Sequence, residues 1–422
     1  MRLTWDITNK CNLRCKHCAA ISLIEQSIPE YPNWKKVIDY VCDFVDSITL
    51  LGGEPLLFPE IEELIGYANS KNIKILIITN GQIVPKVLDN IVQHDITSIL
   101  ISMEGLEVTH DKIRGIGTWK KAYDSLTHLI NLNKSKINKT QIGINIVANK
   151  LNRNEIIDIF ELTKNLNIMY QVSSLSLKGN AQVNKDTLDM ETDKIIDLFE
   201  EIVEYHTKNP SLQLNILNNY PIFKDYLNKK FGTTYNVKGF TCEALLGSIY
   251  ADPYGNICVC QNHKDFNINI EKSNTWAEDF NVFEPFLKLL HSKNTNTICK
   301  DCKYIDECIP CPFNPNSQMP EFCSEVINRM NHLNIPLDAK YKLNKPYAII
   351  ESDDRYEIYY PNLGINTEYT IEGINILKSI KEFKSLKEIS AEVSFPPEIV
   401  YEFLLQERKS SKVTELRDFV LN

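Results

Sequence analysis

The chain predicts an α/β fold: a partial (β/α)6 TIM-like barrel, then a cysteine-rich domain and a small α+β C-terminal domain. Apolar, β-rich runs alternate with amphipathic helical stretches up to about residue 175, which indicates a parallel sheet of βα units. Six such units are too few for a full eight-stranded barrel. The 12 cysteines, apart from Cys42, fall into two groups, residues 11–18 and 242–323. In a reducing cytosol such grouping indicates metal rather than disulfides.

The composition is that of a soluble globular protein, and 422 residues suffice for two or three domains. The 55 acidic residues outnumber the 46 basic ones, and the net charge of -9 argues against binding nucleic acid or an anionic membrane surface. No run approaches the roughly 18 consecutive apolar residues of a membrane helix. The first residues lead straight into a polar, strand-like segment without a signal peptide, so we expect a cytoplasmic protein.

Residues 1–190 are predicted to form the barrel, with its site at the C-terminal ends of the strands. The predicted strands are Leu3–Ile7, Ser47–Leu51, Ile73–Thr79, Ile96–Ser102, Thr140–Val147 and Ile168–Val172. The predicted helices between them are Trp34–Val45, Ile61–Ser70, Trp119–Leu132 and Asn154–Asn165. Residues 191–240 are predicted to hold one helix, Asp193–His206, and a connector, Tyr220–Phe240.

The sequence changes character twice beyond the barrel. Residues 241–330 are dense in cysteine and show little periodicity, as expected where metal rather than a hydrophobic core organises the backbone. Residues 340–422 predict two strands and then three helices. These elements are Tyr347–Ile350, Glu357–Tyr360, Ile371–Ile380, Leu386–Val393 and Pro397–Lys409.

Cys11, Cys15 and Cys18 have the spacing C-x3-C-x2-C on the first predicted βα loop. Three thiolates this close can bind three corners of a [4Fe–4S] cluster, and an iron without a protein ligand can bind an external molecule. The alternative is a structural zinc site with His17 as the fourth ligand, although zinc favours paired CxxC units.

A second motif, Gly52-Gly53-Glu54-Pro55, directly follows the second predicted strand. Two glycines let the backbone approach a ligand closely, and the acidic residue can take a cationic group. Two glycines alone would indicate no more than a turn. Together with the cysteine triplet on the preceding loop, the motif disfavours zinc.

These motifs resemble those of the radical S-adenosylmethionine (SAM) enzymes over residues 3 to about 180. The resemblance implies that Cys11, Cys15 and Cys18 bind a [4Fe–4S] cluster, with His17 in a position that is usually aromatic. It implies that SAM chelates the open iron and that Gly52–Glu54 contact the SAM amino group. One electron would then cleave SAM to methionine and a 5′-deoxyadenosyl radical, which abstracts a substrate hydrogen.

Two further strand ends fit the same resemblance. Thr79 and Asn80 stand where the family often has Thr-Asn-Gly. Ser102 and Glu104 stand where it usually has Ser-x-Asp-Gly near the SAM ribose or carboxylate, so Glu104 departs from the pattern by one methylene. The alternative for Asn80 and Ser102 is ordinary turn capping.

The eight later cysteines resemble the SPASM extension of radical SAM enzymes, which implies two auxiliary [4Fe–4S] clusters. The first part fits C-x12-G-x4-C around Gly255, and the second reads C-x2-C-x5-C-x2-C where the family usually ends in x3-C. By position, the distal cluster would be bound by Cys299, Cys302, Cys308 and Cys323. The nearer cluster would be bound by Cys242, Cys260 and Cys311, with Cys258 as its fourth ligand. The alternatives are structural zinc ribbons and iron–sulfur clusters with a purely structural role.

Residues 340–422 resemble, by pattern alone, the PqqD-like winged-helix domain that holds the leader of ribosomally made, modified peptides. In that family the leader adds a strand to a sheet edge. The alternative is a helical cap that stabilises the cysteine-rich domain.

The resemblances together imply a radical SAM peptide maturase, an oxidoreductase that forms a thioether or carbon–carbon crosslink in a leader-bearing precursor. Its cofactors would be SAM, the SAM-binding [4Fe–4S] cluster and two auxiliary clusters, and flavodoxin or ferredoxin would be the reductant. The alternatives are side-chain oxidation like that of anaerobic sulfatase maturases, peptide epimerisation, and a non-enzymatic iron–sulfur scaffold or electron-transfer protein. The SAM motifs argue against the scaffold.

Overall fold

The computed structural model describes residues 1–20, 33–137, 139–217, 220–235, 243–261, 263–273, 275–291, 308, 319–331, 340–343, 348–352, 355–360, 365–380, 384–395, 397–409 and 413–415. The chain divides into two compact units, Met1–Arg329 and Met330–Asn422. Within the described ranges, no helix is both long enough and apolar enough to cross a membrane.

One sheet organises the first unit. Its described strands are β1 Arg2–Asp6, β2 Ser47–Leu51, β3 Lys74–Thr79, β4 Ser98–Ser102, β5 Gln141–Ala148, β6 Met169–Ser174, β7 Gln213–Leu217, β8 Ser248–Ala251, β9 Asn256–Cys260 and β10 His263–Asn269. Their order is β10-β9-β8-β1-β2-β3-β4-β5-β6-β7. Strands β1 to β7 are parallel, as βα units require. Strand β8 pairs in parallel with the other edge of β1, and β9 and β10 continue antiparallel.

The helices of this unit follow the strands in βα order. They are α1 Trp34–Val41, α2 Ile61–Ser70, α3 Pro85–Ile91, α4 Glu107–Arg114, α5 Thr118–Asn133, α6 Ile156–Thr163, α7 Asn180–Val183, α8 Lys185–Leu188, α9 Thr192–Lys208, α10 Pro221–Phe231, α11 Trp276–Asp279, α12 Glu284–His291 and α13 Met319–Asn331. Alternate strand residues such as Leu3, Ile48, Ile75 and Ile99 are fully buried, as expected for the face that helices cover. The opposite alternation leaves Asp6 and Ser102 on the face toward the barrel interior.

The α/β class and the parallel sheet agree with the sequence prediction, and all six predicted barrel strands are present. Residues 191–240 differ from the prediction, because they also contain β7 and α10. Strand β8, which precedes the later cysteines of the described chain, belongs to the same sheet as the barrel strands. The finer division into domains at residues 190 and 240 stays a prediction.

The second unit contains β11 Lys340–Leu343, β12 Ala348–Ser352, β13 Arg355–Tyr360, β14 Ile365–Tyr369, α14 Ile371–Ser379, β15 Lys384–Ser385, α15 Leu386–Val393, α16 Pro397–Lys409 and β16 Val413–Glu415. The strands form two sheets, β15-β11-β16 and β12-β13-β14. Its core is made of Ile374, Ile376, Leu377, Ile380, Ile389, Val400, Tyr401 and Leu404. The two predicted strands and the three predicted helices are present, whereas β11, β14, β15 and β16 were missed. The winged-helix assignment stays a prediction.

Candidate active site

A cavity of about 300 Å³ lies at the C-terminal ends of the barrel strands. The cysteines of the first loop line it, and so do most of the residues expected to contact SAM. These lining residues are Cys11, Cys15, Cys18, His17, Gly52, Gly53, Glu54, Thr79, Asn80 and Ser102. The fold therefore brings together residues from the ends of four neighbouring strands, where parallel βα sheets place their sites.

The two glycines are required because the second loop crosses the backbone of the first. A Cβ atom on Gly52, whose φ is +128°, would lie 2.5 Å from the carbonyl oxygen of Thr8. A Cβ on Gly53 would lie 2.1 Å from that of Lys10. The backbone N–H groups of Gly53 and Glu54 donate hydrogen bonds to these same oxygens at 2.9 and 2.7 Å. The glycines thus hold the start of the cysteine loop against β2.

The buried carboxylate of Glu54 links three segments of the site. Its Oε1 accepts hydrogen bonds from the Thr79 hydroxyl at 2.7 Å and from the N–H of Leu56 at 3.1 Å. Its Oε2 accepts one from the N–H of Asn80 at 2.7 Å. Burial raises the pKa of this carboxyl, and these donors oppose the rise. Glu54 therefore fixes the loop after β2 to the end of β3.

Asparagine side chains hold the cysteine loop from two sides. The Asn80 amide donates a hydrogen bond to the side-chain oxygen of Asn12 at 2.8 Å. On the other side, the Asn180 backbone and side chain donate to the carbonyl oxygens of Cys18 and Cys15 at 2.9 and 3.0 Å. The side chain of Asn184 donates to the carbonyl of Lys16 at 3.2 Å. The segment after Gly179 thus supports this loop.

The three thiols of the loop lie in surroundings that disfavour their charged form. Burial raises the pKa of Cys11, Cys15 and Cys18, and that of Cys15 reaches about 11. A metal would have to displace these protons. Among the described residues, no three His, Cys, Asp or Glu side chains already stand close enough to hold a metal. The cluster assignment therefore depends on the loop sequence, its place in the cavity and the family match below.

Glu104 does not line the cavity, unlike the other predicted SAM contacts. Its Oε1 accepts hydrogen bonds from Nε and Nη2 of Arg114 at 3.1 and 2.6 Å, and Oε2 accepts one from the N–H of Val147 at 2.9 Å. Burial would raise the pKa of Glu104, but Arg114 and the nearby His17 lower it overall. Glu104 thus orients Arg114, which does line the cavity and whose Nη1 lies 4.0 Å from Cys15 Sγ.

Two histidines, both in their neutral form, lie beside the Glu104–Arg114 ion pair. His110 Nδ1 accepts a hydrogen bond from the N–H of Glu104 at 3.1 Å. Burial, and then the charge of Arg114, lowers the pKa of His110 to about 4. Burial likewise lowers the pKa of His17 to about 4. No sequence motif indicated His110, because its role depends on a helix that turns back on the strand end.

The second cysteine array is only partly within the described residues. Cys258 is fully buried, and burial raises its pKa to about 12. Cys258 and Cys260 lie two residues apart on β9, on one face of the sheet. Cys308 is half-buried, and so is Cys323, which lies on α13. The remaining predicted ligands, Cys242, Cys299, Cys302 and Cys311, lie outside the described residues.

The donor groups of the cavity fit a zwitterionic ligand that bridges a cluster and the strand ends. Three thiols offer iron ligands, and the Arg114 guanidinium offers a hydrogen-bond donor for a carboxylate. The His17 ring also faces this cavity, and its Nδ1 atom is buried without a hydrogen-bond partner. These residues therefore fit SAM and a [4Fe–4S] cluster.

The chain is similar to a known protein family and to several characterised proteins. Residues 5–163 match the model of the Radical SAM superfamily. The chain is 25% identical over 344 residues to the Fe-coproporphyrin III synthase of Methanosarcina barkeri, which covers 72% of this chain and 81% of that protein. It is 31% identical over 133 residues to the mycofactocin maturase MftC of Mycobacterium tuberculosis, which covers 30% of this chain and 34% of that one.

Two solved structures share the fold. One is Streptococcus suis SuiB bound to its precursor peptide SuiA, with a TM-score of 0.57 and 17% identity over 73% of this chain and 70% of that one. The other is anSMEcpe with bound AdoMet and the Cp18Cys peptide, with a TM-score of 0.56 and 16% identity over 78% of this chain and 99% of that one. The motifs and the cavity agree with the family match: residues 5–163 match the Radical SAM superfamily, and the chain is an enzyme.

Proposed function

We propose that this chain is a radical SAM peptide maturase that abstracts a hydrogen from a ribosomally made precursor peptide. The observation that carries the proposal is the cavity at the strand ends, where three thiols, the Gly52–Glu54 segment and Arg114 meet. The peptide substrate is supported by the similarity to MftC and by the fold shared with SuiB.

Cys11, Cys15 and Cys18 would hold three irons of a [4Fe–4S] cluster and leave the fourth to the amino and carboxylate groups of SAM. When bound, the cluster and SAM supply a one-electron reduction that releases methionine and a 5′-deoxyadenosyl radical. Arg114 would donate a hydrogen bond to the SAM carboxylate, because Glu104 already engages its Nε and Nη2, whereas its Nη1 lies 4.0 Å from Cys15 Sγ. The backbone of Gly52–Glu54 would contact the SAM amino group.

The later cysteines would bind two auxiliary clusters that accept the second electron of a two-electron oxidation. The nearer cluster would use Cys242, Cys258, Cys260 and Cys311, and the distal one Cys299, Cys302, Cys308 and Cys323. The strand register supports this arrangement. Cys258 pairs with Tyr250, and Tyr250 pairs with Thr4, so Cys258 stands on the sheet face that carries Asp6 in the cavity wall.

The unit Met330–Asn422 would hold the leader of the precursor. Its sheet β12-β13-β14 has two edge strands within the described residues, and an edge strand can pair with an added peptide strand. The product would be a thioether or carbon–carbon crosslink. Side-chain oxidation and epimerisation are other outcomes of the same hydrogen abstraction.

A tetrapyrrole is the second candidate substrate. The match to the Fe-coproporphyrin III synthase extends over 72% of this chain, far more than the match to MftC. Because both candidates use the same radical chemistry, only the substrate distinguishes them.

The test uses the full chain, reconstituted anaerobically with iron and sulfide and supplied with SAM and dithionite. The peptide probes are synthetic peptides encoded by the short reading frames that flank the gene, and an iron tetrapyrrole precursor of iron coproporphyrin III is tested in parallel. We expect one peptide to lose the mass of two hydrogens with formation of 5′-deoxyadenosine. Formation of iron coproporphyrin III without any peptide modification would favour the second candidate. The triple variant Cys11→Ala, Cys15→Ala, Cys18→Ala should form no 5′-deoxyadenosine, and persistent formation would contradict the cluster assignment.

A further inference from the structure

Asp6 is a buried carboxylate that none of the SAM motifs includes. It ends β1, is 1% exposed, and lines the cavity just before the cysteine loop. Its Oδ2 accepts hydrogen bonds from the Tyr250 hydroxyl at 2.6 Å and from Gln261 Nε2 at 3.4 Å. Its Oδ1 is buried with no hydrogen-bond partner among the described residues.

A structural link between β1 and β8 does not account for this arrangement. Such a link needs a single acceptor for the Tyr250 hydroxyl, which an asparagine would provide without a buried ionisable group. Burial raises the pKa of Asp6 to about 6, while Tyr250 and Lys264 oppose the rise, so at neutral pH the group is mainly an acceptor-only carboxylate. A buried acceptor without a donor is costly in the free enzyme, and a ligand that brings a donor removes that cost.

The place of Asp6 in the sheet separates it from the motifs that follow the other strands. Gly52–Glu54, Thr79–Asn80 and Ser102 follow β2, β3 and β4, on one side of β1. The partners of Asp6 come from the other side, since Tyr250 lies on β8 and Gln261 follows β9. Gln261 also lines the cavity. Asp6 therefore belongs to the wall between the SAM motifs and the strand that carries Cys258 and Cys260, where the reacting part of a substrate would lie.

We propose that Asp6 is a substrate-binding residue and that the substrate peptide presents an N–H, O–H or S–H donor to its Oδ1 atom. The inference rests on the proposed function, because it takes the occupant of this part of the cavity to be a peptide. The reacting side chain is accordingly one with a hydrogen-bond donor near the carbon that loses hydrogen, and an aliphatic side chain of the same shape is rejected.

The experiment compares pairs of capped amino-acid amides, deuterated on their side-chain carbons, as probes of the reconstituted wild-type enzyme with SAM and dithionite. Serine is paired with alanine, and lysine with norleucine, so that each pair differs in the donor. The readout is the deuterated fraction of the 5′-deoxyadenosine formed, which is independent of the total rate. Saturation-transfer NMR without reductant measures binding of the same probes without turnover.

We expect the donor-bearing member of at least one pair to deliver deuterium at least about tenfold more efficiently, because a site built to bond a donor rejects the analogue that lacks it. Asp6→Asn should lose or reverse this preference. The asparagine carbonyl can still accept the Tyr250 hydroxyl, while its NH2 group replaces the free acceptor by a donor. Tyr250→Phe, the matched control, removes the structural bond but keeps the acceptor, and it should retain the preference.

Equal transfer and equal binding within every pair of probes in the wild type would overturn the inference, and this comparison needs no variant to fold. A preference that survives in Asp6→Asn, or that Tyr250→Phe abolishes equally, would also overturn it in favour of a structural link. Transfer without preference would leave the proposed function intact. No transfer from any amino-acid or flanking-frame peptide would overturn the proposed function together with the inference.

Discussion

The position of the cysteine loop depends on the single residue Gly53. A methyl group there would lie 2.1 Å from the carbonyl oxygen of Lys10, which is backbone and cannot move away alone. We expect Gly53→Ala to separate the two loops, to lower the iron bound by the first cysteine triplet and to abolish 5′-deoxyadenosine formation. Iron analysis and chromatography of the reaction products measure both effects.

Gly66→Ala is the matched control for this change. Gly66 lies in α2, and its added Cβ would lie 3.5 Å from the nearest atom, on His94. We expect this variant to keep full activity and to gain about 0.5–1 kcal/mol of stability, because alanine is the better helix former. Normal iron content in Gly53→Ala would show that the loop crossing is not needed.

His110 makes the stability of the site depend on pH. Its pKa of about 4 in the folded chain lies below its ordinary 6.5, so the unfolded chain binds the proton more tightly. The stability that neutral His110 contributes is therefore complete above pH 6.5 and is lost as the pH falls toward 4. Between pH 7.5 and 5.5 we expect the advantage of the wild type over His110→Asn to shrink by about 1 kcal/mol. Anaerobic urea unfolding at both values measures it, and a constant difference would mean that His110 has the same pKa in the folded and the unfolded chain.

Residues with a motif signal were easier to predict than residues that act through burial. The sequence indicated Cys11, Cys15, Cys18, Gly52–Glu54, Thr79, Asn80 and Ser102, and these residues all line one cavity. It did not indicate that Glu104 would engage Arg114. That pairing depends on α4 turning back over the end of β4, which local pattern does not encode.

The short helix α7 supports the cysteine loop, although it contains none of the predicted iron ligands. Asn180 holds the carbonyl oxygens of Cys15 and Cys18, and Asn184 holds that of Lys16. We expect Asn180→Ala with Asn184→Ala to release the SAM-binding cluster faster to a chelator, while the fold is kept. Asn209→Ala is the control, because its amide donates only to the Tyr205 carbonyl at the end of α9. Equal release rates in the double variant and the control would contradict the supporting role.

The barrel strands were predicted to within two residues at most ends, since buried parallel strands are continuous apolar runs. Strand β7 was missed because it has only five residues, in which the apolar Leu214 and Ile216 alternate with the polar Gln213 and Asn215. So short an alternation is a weak signal for a strand. Helix α10 was missed within an aromatic, asparagine-rich stretch, although Pro221 and Gly232 mark its ends. Strand β8 could be seen as a strand, but its partner lies some 245 residues earlier, and no local pattern specifies such a pairing.

The iron content of the whole chain should match three predicted clusters. The eleven cysteines that are their predicted ligands should carry about twelve irons per chain after anaerobic reconstitution. Cys258→Ala should lower the iron content by about four if Cys258 is the fourth ligand of the nearer cluster. Iron and sulfide analysis measures this. Mostly zinc, or about eight irons in the wild type, would contradict the two auxiliary clusters.

The division into two units predicts that cofactor chemistry and leader binding can be separated. Deleting residues 340–422 leaves α13 intact, including the ion pairs of Arg329 with Asp197 and Glu200 at 2.8 and 2.9 Å. We expect the truncated enzyme to cleave SAM without substrate at a rate close to that of the full chain. It should bind and modify the full precursor poorly, whereas a leader-free core peptide should react equally slowly with both enzymes. Calorimetry and product analysis test this, and unchanged precursor binding would favour the helical-cap alternative.

The pairing of β8 with β1 can form only late in the synthesis of this protein. Strand β1 leaves the ribosome first, but its outer edge is paired only after Ala251 has been added. At about 5–20 residues per second, that edge stays unpaired for on the order of ten to fifty seconds. An unpaired strand edge can pair with another chain. The nascent chain is therefore more exposed to edge-to-edge aggregation than the finished enzyme.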